Sequence, residues 1–126
     1  MKLLLDTNVV IRWMASEEAG RTDAGRLIAD PANEILLSIV SLWEIVVKSR
    51  IGKLDVALDA VIADAAANGF NRLGLEDAHL RALRRLPKHH RDPFDHLLIA
   101  QAIIEGAAFV TADRKLEGYP VELIRA

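Results

Sequence analysis

Five short apolar runs separated by longer helical stretches constrain this chain more than any other feature of its sequence. Lys2–Asp6, Glu34–Ser38, Phe70–Leu75, Ala107–Thr111 and Val121–Arg125 read as strands, and the segments between them read mainly as helices. Such alternation predicts an α/β domain with a central, mostly parallel sheet flanked by helices. The first and fourth runs carry no polar alternation, so both of their faces should be covered. A chain of 126 residues fits one domain spanning 1–126, because a single core of this size buries about two-thirds of the surface of the unfolded chain. Only 5% of residues are aromatic, so that core must be built from Leu, Ile, Val and Ala.

Local signals mark the helices. Ile39–Arg50 is a strongly apolar helix ending near Gly52, Val56–Ala67 stops at Asn68-Gly69, and Glu76–Leu86 ends before Pro87. In Arg91-Asp92-Pro93-Phe94-Asp95, proline suits the first helical position, which makes Asp92 the N-cap and leaves Asp95 in the first turn. The helix beyond it, Leu97–Glu105, is nearly all apolar and should run through the core.

Several function classes are closed off. The chain has no cysteine, hence no thiolate metal site or cysteine nucleophile, and this suits a reducing compartment such as the cytoplasm. No apolar stretch approaches the length of a membrane span, and Leu3-Leu4-Leu5 is too short for a signal-peptide core. The net charge of −2 means that any polyanion must be met by local basic clusters.

The chemistry is carried by acidic residues. Asp6 and Asp113 each follow a buried strand, and parallel strands deliver such residues to one edge of the sheet, where open α/β sheets bind ligands. Taken singly, each also reads as a turn or helix-cap aspartate. Glu44 lies on the apolar helix Ile39–Arg50 with Ser41 and Lys48 on the same face, a single polar stripe on a helix expected to be buried almost all round. The competing reading is a solvated Glu44–Lys48 pair worth a few tenths of a kcal/mol. Asp95 suits the helix macrodipole by itself, but its helix should bring it to the edge that holds Asp6. Four converging carboxylates repel unless a hard divalent cation neutralises them, and oxygen-only donors favour magnesium or manganese. Sites of this kind hydrolyse phosphodiesters by polarising a phosphoryl oxygen and activating water.

Leu3-Leu4-Leu5-Asp6-Thr7-Asn8, Ser38–Lys48, Asp92–Ala102 and Thr111-Ala112-Asp113 together resemble the PIN-domain family, in particular the VapC-type toxins of bacterial toxin–antitoxin pairs. The resemblance covers nearly the whole chain. It implies a three-layer PIN-like fold and a Mg2+-dependent endoribonuclease, with Mn2+ as a possible substitute. The acidic residues of the family match Asp6, Glu44, Asp95 and Asp113 as catalytic metal ligands, and Thr7, Asn8 and Thr111 match its supporting polar positions. It further implies an RNA substrate, neutralisation by a cognate VapB-type antitoxin, and a homodimer. The sequence departs from the family at His96, where related sequences often carry arginine.

The densest basic run, from Arg81 to Arg91, leads directly into Asp95. Within it Lys88 and Arg91 are candidates for RNA-backbone contact, set against a solvated face and loop. His89 and His90 are assigned no catalytic role. Two other classes compete with the ribonuclease reading. One is a non-catalytic module that binds RNA or a partner through the same acidic groove, and the other is a structure-specific DNA nuclease.

Overall fold

The computed structural model describes residues 1–88 and 92–126. The expected alternation is present as β1 (Lys2–Leu5), α1 (Thr7–Ala15), α2 (Asp23–Ala29), β2 (Glu34–Ser38), α3 (Ile39–Arg50), α4 (Leu58–Ala67), β3 (Asn71–Leu73), α5 (Asp77–Arg85), α6 (Pro93–Glu105), β4 (Ala108–Thr111) and β5 (Leu123–Arg125). Short 3₁₀ turns at Glu17–Arg21 and Arg114–Leu116 complete the list. All five strands run parallel, in the order β3-β2-β1-β4-β5. The two outer strands are shorter than their apolar runs because an edge strand finds hydrogen-bond partners on one side only.

Strand alternation sorts the core into two clusters. Leu3, Leu5, Ile35, Leu37, Ala108 and Val110 face one way and pack with Val9 and Val10 of α1, Ile28 of α2, Ile45 of α3 and Val61 of α4. Leu4, Leu36 and Phe109 face the other way, against Leu97, Leu98, Ile99 and Ala102 of α6. The result is three layers, helices covering both faces of the sheet, which is why the inner strands lack polar residues. The C-terminus of α6 is closed by Gly106 at φ 65°, a left-handed conformation that glycine adopts without strain. Among the described residues no helix is long and apolar enough to cross a membrane.

The chain builds β1, β2 and β3 outward in one direction, then returns to place β4 on the other side of β1. The carboxyl ends of β1 and β4 therefore flank a topological switch point, where connections leave in opposite directions and open a crevice. Asp6 and Asp113 lie just beyond those two strands.

One expectation fails on α3. Its apolar sequence implied burial nearly all round, yet Ile39 is 40% and Trp43 53% exposed, and the Trp43 ring meets Phe94 edge-on at 4.7 Å. Only Val40, Ser41, Leu42, Glu44 and Ile45 of this helix are buried, because α3 joins both core clusters along one side and leaves the other side outward.

Candidate active site at the carboxyl edge of the sheet

Asp6 occupies the N-cap position of α1, but its side chain makes no capping bond. Its Oδ2 instead accepts a hydrogen bond from Thr111 Oγ1 at 2.7 Å, across to the end of β4. Asp6 is 5% exposed, and burial raises its carboxyl above the usual range. The hydrogen bond from Thr111 opposes this rise, while the charges of Glu44 and Asp113 add to it.

Glu44 is 3% exposed. Its Oε1 accepts from Thr7 Oγ1 at 2.6 Å, and Thr7 Oγ1 also lies 2.9 Å from Ser41 Oγ. Lys48 Nζ donates to Glu44 Oε2 at 2.5 Å. The i,i+4 pair thus exists, but not as the solvated surface pair that the sequence also allowed, because its carboxylate is buried. Thr7→Val keeps the shape and deletes the donor to a buried carboxylate. It should lower stability by about 1–3 kcal/mol, read as a lower denaturant midpoint with an unchanged slope.

Asp95 lies in the first turn of α6, and Asp92 is the cap, accepting from Phe94 N at 2.9 Å and Asp95 N at 3.4 Å. Asp95 is 7% exposed. Burial pushes its carboxyl up to about 8, with further increments from the charges of Asp6, Asp92, Glu44 and Asp113. All three other candidate carboxylates therefore act on Asp95. Asp113 is half-buried. Its backbone N–H donates to Thr111 Oγ1 at 3.0 Å, and its Oδ1 accepts from Lys115 N at 2.9 Å. Asp113 thus caps a turn, and its charge also acts on Asp6 and Asp95.

Thr111 serves two aspartates, accepting from the backbone of Asp113 and donating to the carboxylate of Asp6. Asn8 is exposed on α1. Lys88 is exposed beyond the end of α5, whereas Arg91, His89 and His90 lie outside the described residues. His96 Nε2 is 2.9 Å from Tyr119 Oη, so its ring is joined to a residue of the second core cluster.

A hydrogen-bonded network behind the site was not foreseen. Buried Gln101 of α6 accepts from Ser38 Oγ, the N-cap of α3, and its Nε2 donates to Gly74 O at 3.1 Å. Gln101 Nε2 is also 3.3 Å from His79 Nδ1. Among the described residues, the ligand atoms of Glu76, His79 and Glu105 all lie within 4.8 Å of one another. His79 Nδ1 accepts from Glu76 N at 3.0 Å, which leaves Nε2 to carry the proton towards Glu105 Oε2 at 2.9 Å. Both ring nitrogens are then engaged, and the trio is a helix cap joined to a side-chain hydrogen bond. A helix-capping histidine has no strong sequence signature, so its burial is visible only in the packed structure.

Asp6, Glu44, Asp95 and Asp113 offer only oxygen donors, which is the donor chemistry of a hard-cation site. A family model, PIN domain, matches residues 3–121. Comparison with curated proteins gives no significant match. Among solved structures, the chain is similar to one in VapBC2 from Rickettsia felis bound to a DNA fragment from their promoter, with TM-score 0.77, 18% identity, and 99% of this chain and 98% of that chain covered. It is also similar to a chain in DNA-bound VapBC from Salmonella typhimurium, with TM-score 0.70, 16% identity, and 99% and 98% covered. A third is in VapBC-5 of the VapBC family of toxin-antitoxin systems, from Mycobacterium tuberculosis, with TM-score 0.57, 24% identity, and 99% and 98% covered.

Proposed function

Because the chain belongs to the PIN domain family, we propose that it is a Mg2+-dependent endoribonuclease, the toxin of a toxin–antitoxin pair, with Asp6, Glu44, Asp95 and Asp113 as its metal-binding catalytic carboxylates. The observation that supports this reading is that the charges of Asp6, Glu44 and Asp113 all act on Asp95, with Asp6 and Asp113 just beyond the two strands that flank the switch point of the sheet. A bound divalent cation would polarise a phosphoryl oxygen and activate a water molecule. Asp6, Glu44, Asp95 and Asp113 would hold the ion. Thr111 and Thr7 orient Asp6 and Glu44 through the hydrogen bonds at 2.7 and 2.6 Å.

The partners follow from similarity rather than from geometry. Three similar solved structures are named as VapBC assemblies, which supports a VapB-type antitoxin as the partner of this chain in the cytoplasm, and the proposed assembly is a homodimer. Lys88, exposed beyond the end of α5, is assigned to the RNA backbone together with Arg91, which lies outside the described residues.

The test is cleavage of single-stranded RNA and of DNA by purified protein, side by side. RNA should be cut with magnesium or manganese and not with EDTA. Cleavage that survives chelation removes the metal mechanism, preferential cleavage of DNA favours the DNA-nuclease reading, and RNA binding without cleavage favours the non-catalytic module.

A further inference from the structure

Lys48 has the geometry of a component of the acidic site rather than of its surroundings. A glutamate four residues before a lysine on a helix normally makes a weak surface pair. Here the partners are unequal, the Glu44 side chain being 4% exposed and that of Lys48 35%. A buried carboxylate with no opposite charge is strongly destabilising, and the partly exposed Lys48 ammonium supplies that opposite charge to Glu44. Asp92 and Asp95 act on the same ammonium from α6.

The two oxygens of Glu44 are held differently. Oε1 is fixed by Thr7, whose hydroxyl is itself packed beside Ser41 in the interior. Oε2 is held by Lys48, the end of a flexible four-carbon stem that water hydrates strongly. Oε2 is therefore the oxygen that can change partner. A divalent cation and an ammonium repel at a few ångströms, and the dication is the stronger competitor for a carboxylate.

We infer that Lys48 is the internal counter-cation of the site: its ammonium neutralises Glu44 in the metal-free protein and leaves Glu44 Oε2 when a divalent cation binds. This inference rests on the metal reading proposed above. The lysine keeps the empty cluster tolerable to the fold, and magnesium must compete with it.

The experiment uses magnesium alone, without RNA. Thermal melts of the parent, Lys48→Met and Lys48→Arg are recorded across magnesium concentrations, and the parent is pulse-labelled with an amine-reactive acetylating reagent, with and without saturating magnesium, and read by mass spectrometry. Metal-free Lys48→Met should melt below the parent, and its magnesium midpoint should be roughly tenfold lower because a competing charge is gone. Lys48→Arg should keep a midpoint near that of the parent. Acetylation of Lys48 should rise several-fold with magnesium, while that of exposed Lys53 stays constant. If magnesium stabilises the parent but leaves Lys48 labelling unchanged, or if Lys48→Met needs as much magnesium or more, Lys48 does not exchange with the metal and the metal reading stands without it. If magnesium fails to stabilise the parent at all, both fall. Should Lys48→Met not fold, the labelling of the parent decides alone.

Discussion

Asp6→Asn or Asp95→Asn should lower RNA cleavage roughly a thousandfold or more while leaving the fold intact. Each exchange removes a charged oxygen ligand at nearly constant size. The transition-state stabilisation supplied by a well-held ion is several kcal/mol, and each 1.36 kcal/mol is about tenfold in rate. Asp92→Asn is the informative control. It alters a residue three positions from Asp95, but asparagine caps helices as well as aspartate does, and the bonds from Phe94 N and Asp95 N need only a side-chain oxygen. Its cleavage rate should fall far less. Single-turnover rates for the three variants, with circular dichroism to confirm folding, settle the division of roles. Equal inactivation by Asp92→Asn would assign the cap a direct part in the chemistry.

The second large effect is on stability and its dependence on pH. The Asp95 carboxyl is raised to about 8 in the folded protein from an ordinary value of 3.8. For an acid raised on folding, the folded state keeps its proton where the unfolded chain has already lost it. The contribution of Asp95 to stability therefore falls as pH climbs from about 4 to about 8, and is flat above that. Asp95→Asn carries no such titration. Without metal, the variant should gain on the parent across this interval and melt higher at pH 8 by a few degrees. That corresponds to about 1–2 kcal/mol once water at the crevice is allowed for. Magnesium should reverse the order, because it binds the ionised carboxylates of the parent and stabilises only the state that holds it. Its stabilising effect should be greater at pH 8.5 than at pH 6. If metal-free Asp95→Asn melts well below the parent at every pH, Asp95 is a structural first-turn aspartate and the repulsion argument is wrong.

Much of the architecture was legible because it rests on local periodicity. Leu3, Leu4 and Leu5 are apolar on both faces since helices cover both faces of an inner strand. The Asp92-Pro93 start of α6 could be read because a cap and its proline act within one turn. Strand lengths at the edges were overestimated, since Phe70 and Val121 extend apolar runs without extending a ladder.

The sequence by itself determined the α/β class and most of the helices, and it put forward the four acidic residues as candidates, because side-chain period, capping and helix spacing are properties of neighbouring residues. Tertiary structure alone decided that β4 returns beside β1, that Asp6 bonds across to Thr111, that Asp113 caps a turn, and that Trp43 stays outside. It also decided that the Glu44–Lys48 pair has one buried end. These outcomes depend on burial and on contacts between residues as far apart as 105 positions. A local pattern shows which groups a residue offers, while the packed chain fixes which of them lose water and what they meet when they do.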